Sequence, residues 1–253
     1  MALQIERIPT FADNYTYLLI CDETREAAVV DAPEAAPVIR RVEQTGANVT
    51  KILSTHHHPD HAMANPELAA HFGGIPVIGH VSDAERLAGF THGVDEGDTV
   101  EVGRQTARVL FIPCHTTGHV AYWFEAAKAL FSGDMLFAAG CGRTFEGTPA
   151  MMFDALVGKL AKLPDDTRVY CGHEYTETNL RFAAAVEPDN AEIAAKLESV
   201  REIRSHAAAD WHDATPAEMT IPSTIGEEMR TNPFMRARDA EELGRLRKQK
   251  DEF

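Results

Sequence analysis

At 253 residues, 44% of them hydrophobic, the chain is long enough to bury a sizeable core. With 24 Lys+Arg against 39 Asp+Glu its formal net charge is -15, which repels phosphate backbones and argues against a nucleic-acid partner. Its four cysteines, Cys21, Cys114, Cys141 and Cys171, form no Cys-x-x-Cys pair; residues 1–10 lack a signal-peptide pattern and no stretch reaches about 18 apolar residues, so a reduced, cytoplasmic protein without a membrane span is expected.

Residues 3–32 read as strands. Tyr15 to Ile20 is rich in aromatic and aliphatic side chains, and Ala27 to Val30 is a second short apolar run that ends at Asp31-Ala32-Pro33. Val38 to Gln44 reads as a helix stopped by Gly46. A buried strand with its flank at Val49-Thr50 follows and runs into Thr55-His56-His57-His58-Pro59-Asp60-His61. His56 and His58 are two apart, so in extended backbone they face one side. Pro59 ends ladder pairing, and Asp60 and His61 fall where a helix can begin. This run can offer two nitrogens to one metal and an oxygen plus a nitrogen to a second. Such donors suit zinc, iron or manganese better than calcium or magnesium.

Asn65-Pro66-Glu67 reads as a helix start with Asn65 as the cap and Pro66 at the first helical position, and Gly73-Gly74 ends that helix. Short strands follow at 75–78, 99–102, 106–112, 120–124 and 129–132, then a helix at 151–161 and a strand at 168–171. Many strands with interspersed helices point to an α/β or α+β sandwich. From about Thr176 the spacing turns helical, over 178–186, 191–206 and 238–250. Three apolar strands end in polar groups: Val109 to Ile112 before His115, Ala129 to Ser132 before Asp134, and Arg168 to Cys171 before His173. Strand ends at one sheet edge are where site residues converge.

With Thr55 to His61 followed by His115, Asp134 and His173, the chain resembles the metallo-β-lactamase superfamily. More narrowly it is similar to the glyoxalase II family of hydroxyacylglutathione hydrolases. That similarity rests on Pro113 to His119, Ser132 to Phe137, Ala139 to Arg143, Phe145 to Thr148 and Cys171 to Thr176, together with Asp13-Asn14-Tyr15, Asn232-Pro233-Phe234 and Lys250 to Phe253. The resemblance implies an α/β fold, an αββα sandwich over 1–173, with a small all-α substrate-binding domain over 174–253. It implies two divalent metal ions, zinc foremost with iron or manganese as alternatives. His56, His58 and His115 would hold one; Asp60, His61 and His173 the other; Asp134 would bridge. Asp60 and Asp134 are the expected catalytic carboxylates. Hydroxide shared by the metals would attack the thioester of an S-2-hydroxyacylglutathione, giving glutathione and a 2-hydroxy acid in methylglyoxal detoxification.

The same resemblance assigns glutathione contacts to Arg143, Phe145, His173, Tyr175, Arg247 and Lys250. Some family members carry Lys and Tyr where this chain has Arg143 and Phe145, so one hydroxyl contact is missing here. The expected partner is a small glutathione thioester, with no nucleic acid and no membrane, and the chain is expected to be a monomer. The alternative reading is a mononuclear iron persulfide dioxygenase, which shares the metal motifs but lacks the helical tail.

Overall fold

The computed structural model describes residues 2–253, so Met1 of the expected 1–173 unit lies outside it. The first half builds a sheet of β1 (Leu3–Thr10), β2 (Asn14–Cys21), β3 (Glu26–Val30), β4 (Asn48–Leu53), β5 (Val77–His80) and β6 (His92–Val94), hydrogen-bonded in that order. Helices α1 (Ala35–Thr45), α2 (Pro59–Ala62) and α3 (Asn65–His71) lie between its strands in sequence. The chain then forms β7 (Thr99–Val102), β8 (Gln105–Phe111), β9 (Val120–Phe124), β10 (Ala129–Gly133) and the small ribbon β11 (Leu136–Phe137) with β12 (Gly140–Cys141). After α4 (Pro149–Phe153) come β13 (Arg168–Cys171), α5 (Thr176–Val186), α6 (Ala191–Ser205), β14 (Ser223–Thr224), α7 (Ile225–Thr231) and α8 (Ala240–Glu252). The second sheet runs β14-β13-β10-β9-β8-β7.

Strand alternation produces the layers. Tyr17, Leu19, Ala28, Val30 and Leu53 face inward to meet Val109, Tyr122, Phe124 and Phe131 of the second sheet. Their neighbours Leu18, Ile20, Ala27, Val29 and Ile52 face outward and pack with Val38, Val42 and Leu68 of α1 and α3. On the far side, Leu110, Ala121, Leu130 and Val169 pack with Met152, Ile225 and Leu243 of α4, α7 and α8. The result is the expected αββα arrangement of the metallo-β-lactamase fold, with a helical C-terminal region. That region is tied to the second sheet: its helices complete the outer core, and β14 pairs antiparallel with β13.

Several local expectations differ. Asn65 does not cap α3: it is the first helical residue, its backbone following Ala64, and its buried side chain donates to Ser54 Oγ at 3.0 Å. A tertiary hydrogen bond outcompetes the cap. The helix expected at 151–161 is broken into α4, a widened π-helical turn over Asp154–Lys159 that contains Gly158, and a 3₁₀ turn over Leu160–Lys162. The segment after the helix expected to end at 206, over 207–222, to which the sequence pattern assigns no element, carries Trp211, Ala214, Met219 and Ile221 into the core between the two sheets.

Candidate metal centre and substrate cleft

The site forms where strand ends of both sheets meet. β4 delivers Thr55 to His61, with His58 extended (ψ 143°) ahead of α2 and Pro59 at the start of that helix. His115 follows β8, Asp134 follows β10, and His173 follows β13. Gly133 supplies the positive φ (50°) of the turn before Asp134; a β-carbon there would stand 2.3 Å from Thr55 Oγ1.

Seven predicted ligand residues converge in two groups. His56 Nε2 and His115 Nε2 each lie 3.1 Å from His58 Nδ1. On the other side His61 Nε2 lies 3.3 Å from His173 Nε2, and Asp60 Oδ2 is 3.7 and 3.5 Å from them. Asp134 stands between the groups, with Oδ2 3.5 Å from His115 Nε2 and 3.3 Å from His173 Nε2, and Oδ1 3.3 Å from His61 Nε2.

These donors fit divalent metal. Ligands at about 2.0–2.1 Å on a tetrahedral ion stand roughly 3.3 Å apart, close to the spacing of the facing nitrogens. Four of the five imidazoles are also set by their other nitrogen. His56 Nδ1 meets Thr55 Oγ1 at 3.0 Å, and that hydroxyl donates to Asp31 at 2.7 Å. His61 Nδ1 meets Asp31 Oδ2 at 3.1 Å, His115 Nδ1 meets the Arg143 carbonyl at 3.0 Å, and His173 Nδ1 meets Asp13 Oδ1 at 2.8 Å. Protons placed on those outer nitrogens leave the inner lone pairs facing the site. Asp134 Oδ1 is buried and has no hydrogen-bond partner among the described residues.

The electrostatics agree with the geometry. Burial, followed by the neighbouring imidazoles, depresses His56 and takes His58 down to about 4, so both are neutral donors. Burial also disfavours charge on His61 and His173, yet the Asp134 carboxylate and the acids behind each ring outweigh it and raise both, His61 to about 10. Burial pushes the Asp60 carboxyl up, but the His173 hydrogen bond and the His61 charge prevail and hold it at about 2. This half of the site therefore favours positive charge: without a metal both rings also keep a proton on the inner nitrogen, which a bound cation would displace.

The six predicted substrate residues line one cleft of about 790 Å³ that opens onto His58, Asp60, His115 and Asp134. Phe145 is 60% exposed, with its ring 5.2 Å from that of His115. Tyr175 stacks on His173 at 4.7 Å, nearly parallel (1°). Lys250 donates to the Thr178 carbonyl at 3.1 Å. Arg247 is not a solvated helix end: it is buried, donates to the Cys141 carbonyl at 2.7 Å and to Asp251 at 3.1 Å, and lies over Phe234. Arg143 also approaches Asp251, at 3.4 Å.

Sequence reasoning missed Asp31 and Asp13. Asp31 sits in the left-handed region (φ 51°) after β3 and accepts from Thr55 N, Thr55 Oγ1 and His61. Its signal was present: an apolar strand followed by a carboxylate, the same design as Asp134. His119, which the sequence reading gives no metal role but names among the polar groups able to support the ligands from behind, is buried, stacks on His56 at 4.8 Å and accepts the Asp134 N–H at 3.2 Å. His57 turns away from the ligands to Asp83, at 3.4 Å.

Residues 11–173 match the model of the metallo-beta-lactamase superfamily, and residues 174–253 match that of the hydroxyacylglutathione hydrolase C-terminus. A hydroxyacylglutathione hydrolase of Synechococcus sp. is 44% identical over 99% of this chain and 100% of its own length. One from Rhodospirillum rubrum is 44% identical over 94% of this chain and 89% of its own length. Among solved structures, ETHE1 from Myxococcus xanthus superposes with a TM-score of 0.71 at 26% identity, covering 98% of this chain and 90% of that one. The BLEG-1 B3 metallo-beta-lactamase shares the fold at a TM-score of 0.67 and 24% identity, covering 92% and 99% respectively.

Proposed function

Since the chain belongs to the hydroxyacylglutathione hydrolase family of the metallo-β-lactamase superfamily, we propose that it cleaves S-2-hydroxyacylglutathiones, S-lactoylglutathione foremost, to glutathione and the 2-hydroxy acid. It is an enzyme, a thioester hydrolase, and its His/Asp clusters are sites for divalent metal. The finer assignment is two ions per chain, zinc foremost. His56, His58 and His115 would hold one and Asp60, His61 and His173 the other, with Asp134 placed to serve both. Such a pair supplies Lewis acidity and hydroxide at neutral pH.

The remaining work falls to the chain's own side chains. Asp60, ionised at neutral pH, accepts a hydrogen bond from the attacking water and so orients it. Asp31 and Asp13 fix the rings of His61 and His173. The leaving thiolate has a solution pKa of about 8.5 and departs without a general acid. Arg143, Arg247 and Lys250 offset the global negative charge where the carboxylates of glutathione must lie, and Phe145 and Tyr175 flank the peptide. Residues 1–173 thereby carry the ligands, and residues 174–253 close the glutathione end of the cleft. The role that follows is removal of thioesters formed from methylglyoxal, in the cytoplasm.

The observation that carries this reading is a single cleft joining the ligand cluster to basic side chains from distant parts of the chain. Its test sets metal-loaded protein against S-lactoylglutathione and against glutathione persulfide. Loss of the thioester without oxygen uptake is expected. Oxygen consumption with the persulfide, and an intact thioester, would instead establish the mononuclear iron dioxygenase.

A further inference from the structure

Behind the Asp60–His61–His173 half of the site lies the stretch Phe11 to Asn14, the turn that joins β1 to β2 together with the first residue of β2. The turn supports that half from several directions. Asp13 Oδ1 meets His173 Nδ1 at 2.8 Å, and the Asp13 carbonyl accepts the Glu174 N–H at 2.8 Å. Asn14 Nδ2 donates to the Asp60 carbonyl at 2.9 Å, and the Asn14 backbone bridges to that of His173. The turn is costly to hold: Phe11 adopts a left-handed φ of 48° without being glycine. Something must restrain it.

The restraint comes from residues nearly 200 positions later. The Trp211 indole donates to the Asn14 carbonyl at 2.9 Å. That ring is buried, packs edge-on to Tyr15 at 5.3 Å, and carries the Arg204 guanidinium over it at 5.1 Å. The adjacent His212 places Nε2 2.8 Å from Glu34, and the same Glu34 oxygen accepts the Phe11 N–H at 2.6 Å. The two ends of the turn are thus gripped by consecutive residues of one segment. Further along, Thr220 N donates to Glu174 at 2.9 Å and pins the segment beside His173.

We propose that residues 206–222 form a strap whose Trp211 is a positioning residue for the second metal: by fixing Phe11 to Asn14, it fixes Asp13 and Asn14 and through them His173 and Asp60. The inference rests on the two-metal reading above. His56, His58 and His115 receive no support from the strap, so its effect is confined to one half of the site. Direct outer partners of metal ligands alter affinity by about 10- to 100-fold. Trp211 acts one residue further out, and an effect near the lower end, about 10-fold, is expected.

The test challenges zinc-loaded full-length protein with a chromophoric chelator and follows the release of each zinc equivalent. Trp211→Phe keeps the buried ring and deletes the N–H. It should release one equivalent about 10-fold more readily than wild type while the other is unchanged, in line with the affinity estimate. His212→Ala acts on the opposite end of the turn through a variant that leaves the core intact, and should shift the same equivalent by less. His206→Ala, an exposed residue whose contacts are with Ser205 and Glu202, should shift neither. Unchanged release in both Trp211→Phe and His212→Ala overturns the proposal. Equal loosening of both equivalents overturns it too, since it would mark a general loss of stability. A wild type that holds a single zinc would remove the two-metal reading itself, and the strap's assigned role with it.

Discussion

Lys250 makes the substrate cleft sensitive to pH in a way that can be isolated. Its ammonium is lowered to about 8, first by burial and second by the charge of Arg247; Asp251 and Cys141 act in the opposite direction. Arg143 and Arg181 line the same cleft. Below pH 8 the free enzyme presents Lys250 as a cation to an anionic peptide; above it the group becomes a neutral amine. A charge-assisted hydrogen bond contributes about 1–1.5 kcal/mol more than a neutral one, so KM should rise roughly 10-fold as pH climbs through that range. The contact is remote from the thioester and changes little between ground and transition state, so kcat should stay nearly level. Initial rates with S-lactoylglutathione between about pH 6 and 9.5 read this directly. Lys250→Arg remains charged throughout and should flatten the rise. Lys250→Ala should show a high KM at every pH. The same KM profile in all three proteins would refute the assignment of Lys250 to substrate binding.

Arg247→Ala should differ from Lys250→Ala by also lowering thermal stability. It strips the buried Cys141 carbonyl of its donor, at a cost of about 1–3 kcal/mol, and differential scanning calorimetry should show Tm falling by several degrees alongside the higher KM. Asp134→Asn keeps the side-chain shape but loses the charge placed between the two ligand groups; elemental analysis should show loss of metal from both, with turnover abolished. His119→Ala should weaken metal retention by about 10-fold, because the stacked partner of His56 and the acceptor of the Asp134 N–H disappear together. Normal metal retention in that variant would leave His119 a packing residue only.

The candidate ligands were legible in the sequence because they follow the ends of four apolar strands, four of them after β4 and one each after β8, β10 and β13, and the strand pattern also carried the layered fold. What stayed hidden depends on contacts between distant segments. Asp31 reaches His61 across 30 residues, Asp13 reaches His173 across 160, and Trp211 reaches Asn14 across 197. Local spacing records none of these. The same limit explains Asn65, a good cap by local chemistry that instead bonds Ser54, and β14, whose two residues become a strand only because β13 offers an open edge. Arg247 and Lys250 lie three residues apart on one helix and both line the cleft, but the surroundings of Arg247 bury it while Lys250 stays half-buried.

Zinc added stepwise to metal-free protein, with S-lactoylglutathione absorbance followed on the same sample, tests most directly whether two metals and the basic cleft together hydrolyse a glutathione thioester. Turnover should stay low through the first equivalent, rise steeply, and level off at two equivalents per chain. Full turnover at one equivalent, or none at any loading, would contradict two-metal hydrolysis of the thioester.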